Sequence, residues 1–242
     1  MNHRLLALAL IILPLSILGA ATTADPSYAV MKELSWRETH AFTNYSYVVT
    51  ETAENHAYEY RVNRIGPCQT RNLLLTVNGR PSNEMEIRKF TVARDSYSDD
   101  PSVMPKTGDI NRWIVVGKPA SIIVPGTLKV KATLGDQQYF TFTARTSVGG
   151  STPVDLDGTL VYDSKESYVT TIELKSRPAI FKAGDGTKVE AFTIRMTFER
   201  NIKLRAIVLS GVTWSVKGRK GFLSSFDEEY SAGYSDYRTD VQ

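Results

Sequence analysis

The feature that most constrains this chain is a period-two alternation of apolar and polar side chains that dominates the sequence from Asn44 onward. In residues 190–199, every second residue from Phe192 to Phe198 is large and apolar, and the residues between them are Thr or Arg. Alternation at this period places one face of a strand against apolar material and the other in water. The sequence therefore predicts a mainly antiparallel β-sheet.

Short runs of Gly, Pro, Asn and Asp divide the alternating sequence into strands, and Gly135-Asp136 is a typical hairpin turn. About ten strands are too many for one flat open sheet, which would twist, split or curl. A curled, barrel-like sheet is therefore favoured. The predicted strands are residues 45–50, 58–62, 71–77, 113–116, 120–124, 127–134, 138–145, 157–162, 168–174, 188–200, 203–217 and 222–238.

Two short helices are predicted beside the sheet. Residues 26–36 begin with Pro, which suits a first helical turn, and Val30 and Leu34 are spaced to share one face. Asn83 and Glu86 have the spacing of a capping box at the start of the second helix. Its apolar side would consist of Met85, Ile87 and Phe90. Residues 93–111 are polar with little periodicity and are interpreted as a mobile loop.

The N-terminal segment has the pattern of a secretory signal peptide. One positive charge precedes an apolar run at residues 5–18, and small residues follow at 19–21. Cleavage is expected after Ala21, which would leave a single domain at residues 22–242. The alternative is an uncleaved membrane anchor, but the run is shorter than a bilayer requires and Pro14 interrupts it.

Composition and motifs exclude several classes of function. Lys and Arg total 29 against 26 Asp and Glu, and they are too evenly spread to predict binding to nucleic acid. With one Cys no intrachain disulfide can form, and three His with one Cys leave few ligands for a zinc site. The sequence contains no common hydrolase or nucleotide-binding motif. We therefore expect a protein without enzymatic activity, metal or cofactor.

The remaining polar candidates each have a simple structural interpretation. Cys68 is expected to be buried, and His40 and His56 to be exposed. Asp155 and Asp157 are expected to flank a β-turn, with too few oxygen ligands for calcium. The basic run at 217–220 and the acidic run at 227–229 are interpreted as solvated strand ends. A contact patch for a membrane surface or a partner protein is the alternative for these two runs.

The aromatic content of 10% is more informative about function. The rings either fill the core or line an incompletely filled cavity that could hold an acyl chain. In the second case, the alternation places the cavity on the concave side of the sheet. The residues predicted to line it are Phe140, Phe142, Ile172, Leu174, Phe192, Ile194, Met196, Phe198 and Trp214.

Several segments resemble bacterial proteins similar to the outer-membrane lipoprotein-sorting carriers, in particular an uncharacterised branch of that group. The similar segments are LDGTLVYD at 156–163, YVTTIEL at 168–174, VTW at 212–214, YSDYR at 234–238, and VNGRP at 77–81 with Glu84. The resemblance covers about a third of the chain and contains no catalytic signature. It does not extend to residues 93–111 or 118–134, and the carriers' arginine that couples binding to release is assigned to no residue here.

The resemblance implies an unclosed antiparallel β-barrel with short capping helices and an apolar interior that accepts lipid acyl groups. The leading hypothesis is a periplasmic carrier, without a cofactor or a stable transmembrane anchor, that shelters a hydrophobic ligand or a lipoprotein acyl chain. A second hypothesis is an interaction or sensory module that contacts an envelope protein and has a filled interior. A third is a hydrolase of a kind that its sequence does not reveal.

Overall fold

The computed structural model describes residues 25–39, 45–53, 56–63, 72–95, 119–147, 151–177, 181–182, 186–221 and 224–239. They form twelve strands of one antiparallel sheet and three helices. The helices are α1 (Pro26–Thr39), α2 (Glu84–Asp95) and α3 (Pro119–Ile122). The strands are β1 (Tyr45–Ala53), β2 (His56–Asn63), β3 (Asn72–Val77), β4 (Arg80–Pro81), β5 (Lys129–Leu134), β6 (Gln137–Thr146), β7 (Val154–Asp163), β8 (Tyr168–Ser176), β9 (Phe181–Lys182), β10 (Lys188–Asn201), β11 (Ala206–Lys220) and β12 (Ser224–Thr239).

The sheet consists of two meanders joined at one long pairing. Its order is β4-β3-β2-β1-β12-β11-β10-β8-β7-β6-β5, and β9 pairs with β10 beside the end of β8. The first described strand therefore pairs with the last, from Tyr45 opposite Thr239 to Ala53 opposite Tyr230. The path ends at β4 and β5, which do not pair with each other. The fold is thus an unclosed antiparallel barrel, as the sequence predicted.

Six register shifts in five strand pairs explain why so large a sheet curls rather than staying flat. Two of them lie in the β10–β11 pair, between Val189 and Ala191 and between Thr197 and Phe198. Such bulges bend a strand and increase its right-handed twist. The other shifts lie in the pairs β1–β12, β2–β3, β5–β6 and β7–β8.

The capping box predicted for the second helix is present at the start of α2. The backbone N–H of Asn83 donates to Glu86 Oε2 at 2.9 Å, and the backbone N–H of Glu86 donates to Asn83 Oδ1 at 3.0 Å. Arg80 Nη1 also donates to Glu86 Oε2 at 3.0 Å. These bonds satisfy N–H groups that a helix start leaves unpaired, so the turn after β4 leads directly into α2.

The pKa of Glu86 should show whether these hydrogen bonds form. Hydrogen bonds from Arg80 and from the Asn83 backbone lower its pKa from 4.5 to about 2. A carboxyl with a lowered pKa stabilises the fold above its unfolded-state value, so this contribution is complete above about pH 4.5 and is lost as the pH falls through about 2. Arg80→Gln should raise the pKa toward 4.5 in an NMR titration of the side-chain carboxyl. Arg88→Gln, on the same helix, should leave it near 2, and equal shifts in both variants would contradict the assignment.

Three expectations for the helices and loops are wrong. Met85 is 66% exposed and does not belong to the apolar side of α2, whereas Ile87 and Phe90 do pack against the sheet. The predicted strand at 120–124 is mainly the short helix α3, because Ile122 and Ile123 are adjacent and both buried, which strict strand alternation does not allow. Helix α2 continues to Asp95, so the predicted loop at 93–111 begins too early.

Other expectations concern residues outside the described part of the chain. They are the signal peptide at 1–21, His40, Cys68, the strand at 113–116 and most of the loop at 93–111. Among the described helices, none combines the length and the apolar character needed to cross a bilayer.

Candidate ligand-binding face

Strand pairing places the nine predicted cavity residues on one face of the sheet, here named the inner face. Eight are buried, with exposed fractions from 0% for Leu174 to 8% for Met196, and they belong to one hydrophobic cluster, the main cluster. Phe198 is only partly buried and packs at its margin. The sequence thus identified residues that are brought together in space, and their lining of a ligand cavity stays a prediction.

The inner face is built from rows of residues that lie directly opposite one another on neighbouring strands. The first row runs from β6 to β12 and consists of Phe142, Gly158, Leu174, Ile194, Trp214 and Tyr230. The second row consists of Phe140, Leu160, Ile172, Met196, Val212 and Ala232. Because facing side chains in such rows contact each other, the two rows form one continuous apolar surface across six strands.

Sequence reasoning missed several members of the main cluster. Leu156 and Leu160 of β7 are 1% exposed, although the alternation in 154–163 could have identified them. Val30 and Leu34 of α1 are fully buried in the same cluster. Their spacing predicted the helix, but no sequence signal showed that it packs on this face.

Helix α1 is held on the inner face by an ion pair that also bonds to the sheet. Arg37 Nε donates to Glu33 Oε1 at 2.9 Å, and Arg37 Nη2 donates to the Val169 carbonyl at 3.1 Å. The Val169 N–H donates to Glu33 Oε2 at 3.4 Å. Pairing of β8 with β10 covers only Thr171 to Lys175 of β8, so Glu33 and Arg37 bond to backbone groups beyond that pairing. Arg37 also lies over the Phe198 ring, 4.5 Å from its centroid.

A second cluster covers the other half of the inner face, beneath α2. It contains Val49, Tyr60, Leu74, Val77 and Ala232, and Ile87 and Phe90 of α2 pack against it. The sequence did not indicate that a charged residue is buried beside this cluster. Glu51 is 6% exposed and lies opposite Ala232, and the Tyr60 hydroxyl donates to its Oε2 at 2.9 Å. A buried carboxylate needs such a donor because burial removes it from water.

The two clusters meet at Trp214 and Tyr230, which we name the aromatic junction. The rings stack with centroids 5.4 Å apart and planes 15° apart. Tyr230 is only partly buried and packs against both clusters. The junction therefore joins the part of the inner face beneath α1 to the part beneath α2.

An open cavity of about 610 Å³ lies at one end of the sheet, where β6 and β8 end and β7 begins. None of the nine predicted residues lines it. The lining residues are Arg145, Pro153, Val154, Asp155, Leu156, Ser176 and Arg177. Because Leu156 also belongs to the main cluster, the cavity reaches the edge of the apolar interior.

The expectation that Asp155 and Asp157 flank a β-turn is wrong. Both residues lie within β7, because it pairs with β6 and β8 along this stretch. Arg145 Nε donates to Asp155 Oδ1 at 2.7 Å, which lowers the pKa of that carboxyl, and Arg177 Nε donates to Asp157 Oδ1 at 3.0 Å. Each of the two carboxylates therefore accepts a hydrogen bond from an arginine side chain.

The basic run at 217–220 ends β11, whereas the acidic run at 227–229 lies within the first half of β12, where Asp227 and Glu229 are exposed. Lys217 Nζ donates to Asp227 Oδ2 at 2.7 Å across β11 and β12. His56 is exposed, as expected, and its ring lies 6.0 Å from that of Tyr58.

Comparison with known proteins finds a similarity among solved structures. No family model matches the chain, and no curated protein matches it. Among solved structures, the chain is similar to the crystal structure of a LolA superfamily protein from Nitrosomonas europaea. The two are 15% identical, the match covers 89% of this chain and 94% of that chain, and the TM-score is 0.37.

Proposed function

We propose that this protein is a non-enzymatic carrier that binds an acyl chain or another hydrophobic molecule on the inner face of its open sheet. The continuous apolar surface formed by the two rows is the observation that carries the proposal. In the described part of the chain, short helices cover this surface. The Glu33 and Arg37 side chains of α1 hydrogen-bond to the backbone of Val169 in the sheet. Burial of a ligand on such a surface gives about 25 cal/mol per Å².

We place the ligand at the aromatic junction and along the nine predicted residues beside it. Tyr230 is the partly exposed ring where the two clusters meet, so a ligand can contact it without first displacing a fully buried side chain. We place the protein in the periplasm because residues 1–21 have the pattern of an exported chain. Its partners would then be a hydrophobic ligand, a lipoprotein acyl chain or another envelope protein.

Binding can be followed through Trp214 itself. In a Trp36→Phe, Trp113→Phe protein, Trp214 is the remaining tryptophan, and dodecanol should change its fluorescence saturably as the alkyl chain contacts the ring. Tyr230→Asp should weaken dodecanol binding about tenfold or more, because it places a charge where apolar area is buried. Native mass spectrometry of the purified protein should also detect a co-purified lipid.

Tyr139→Asp is the matched control, since Tyr139 lies on β6 beside the inner-face residue Phe140 and therefore points to the opposite face. Circular dichroism must show that both variants are folded. Saturable binding that is equal in both folded variants would contradict the placement at the junction. No dodecanol binding by the parent protein would contradict the carrier function itself.

The second candidate is an interaction or sensory module with a filled interior. It is favoured by the complete burial of Val30 and Leu34 against the predicted cavity residues. This candidate predicts no co-purified lipid and no response of Trp214 to dodecanol, so the same experiment separates the two functions.

A further inference from the structure

The open cavity at the end of β6, β7 and β8 contains a pair of arginines held by one carboxylate. Arg145 donates to both oxygens of Asp155, from Nε at 2.7 Å and from Nη2 at 3.1 Å. Arg177 Nη1 lies 3.8 Å from Asp155 Oδ2. Asp155 therefore holds two positively charged side chains at the rim of the same cavity.

Each guanidinium retains hydrogen-bonding capacity on Nη1. Arg145 uses Nε and Nη2 for Asp155, and Arg177 uses Nε for Asp157 and Nη2 for the Thr143 hydroxyl at 3.2 Å. No hydrogen bond joins either Nη1 group to the described residues. Both arginines are partly exposed, at 61% and 43%, so an incoming group can reach them.

The arginine donors and the apolar lining together define the class of ligand. Two guanidinium groups and one carboxylate line the cavity, and Asp157 beside it binds Arg177, so an anion would be bound by the two unused Nη1 donors rather than by a net positive charge. Pro153, Val154 and Leu156 supply apolar wall, and about 610 Å³ is more room than a headgroup alone requires. Guanidinium groups bind carboxylate and phosphate oxygens through charge-assisted hydrogen bonds.

We propose that this cavity binds the anionic headgroup of an amphiphile, whose carboxylate or phosphate accepts hydrogen bonds from Arg145 and Arg177. The apolar part of the ligand then contacts Val154 and Leu156, and Leu156 leads to the main cluster. The inference rests on the proposed function, because it selects anionic amphiphiles among the hydrophobic ligands of the carrier.

Calorimetric titration with three ligands of equal chain length tests the headgroup. Dodecanoate and dodecyl phosphate should each bind about tenfold or more tightly than dodecanol, since only they give the arginines an anionic acceptor. Arg177→Gln should weaken binding of both anions about tenfold and leave dodecanol unchanged. Arg145→Gln should act in the same direction.

Arg219→Gln is the matched control, because Arg219 is an exposed arginine on another part of the sheet that also pairs with a carboxylate, that of Glu190 at 2.7 Å. It should leave all three affinities within about twofold, as expected for a surface substitution. Equal affinities for dodecanol and the two anions would overturn the headgroup site and leave the carrier function standing. Equal losses in Arg177→Gln and Arg219→Gln would overturn it as well, whereas failure of all three ligands to bind would contradict the carrier function.

Discussion

Gly218→Ala is expected to lower the free energy of unfolding by about 3 kcal/mol, at the upper end of the usual range for overpacking. A Cβ at this position would lie 2.3 Å from the Lys188 carbonyl oxygen and 2.5 Å from Phe226 Cζ. Gly218 pairs with Val189 in the β10–β11 ladder, so the carbonyl cannot move away without disturbing the pairing of these strands. Urea denaturation followed by circular dichroism would measure the change.

Gly233→Ala is the control for this prediction. Gly233 lies within β12, and nothing comes within 4 Å of the Cβ that would be added. Its replacement should be neutral or stabilise the protein by about 0.5 kcal/mol, because Gly loses more backbone entropy on folding than Ala. A Gly218→Ala protein as stable as Gly233→Ala would show that β10 and β12 do not approach Gly218 this closely in solution.

Leu34→Ala is expected to destabilise the protein by about 3 kcal/mol. Leu34 is fully buried where α1 packs on the inner face, so truncation removes apolar contacts and leaves a void in the main cluster. Tyr28→Ala on the same helix should change the stability by less than about 0.5 kcal/mol, since Tyr28 is 68% exposed. Both values can be measured by denaturant unfolding.

A loss below about 1 kcal/mol for Leu34→Ala would mean that α1 does not pack on the sheet in solution. The same variant also bears on function. If the inner face binds a ligand, loosening α1 should increase dodecanol uptake, whereas an interior that serves only as a packed core gains no saturable site.

Local pattern was sufficient for much of the fold. The alternation in β10 and β12 identified both strands to within a few residues, because side chains of a strand alternate wherever one face is buried. The capping box could also be predicted from the sequence, since the side chains of Asn83 and Glu86 each accept a hydrogen bond from the other residue's backbone N–H. Where consecutive residues are both buried, as at Ile122 and Ile123, the local pattern did not distinguish strand from helix.

The candidate site was predicted only as a set of side chains that share a face. Which of them are neighbours depends on register between strands, and that depends on packing over long sequence distances. Helix α1 and the Glu51–Tyr60 pair could not be placed on the inner face from the sequence. The arginine pair was missed because Arg145 and Arg177 are 32 residues apart in the chain and meet only through Asp155 of the strand between them.

The amino-acid sequence by itself determined that this chain forms an antiparallel sheet with one apolar face and short helices beside it, because these features depend on residues two to four positions apart. The tertiary structure alone decided that β1 pairs with β12, that α1 packs on the apolar face, and that two arginines line one cavity. These contacts join residues far apart in the chain, so the energy that selects them comes from burying one element against another and is not encoded in any local segment.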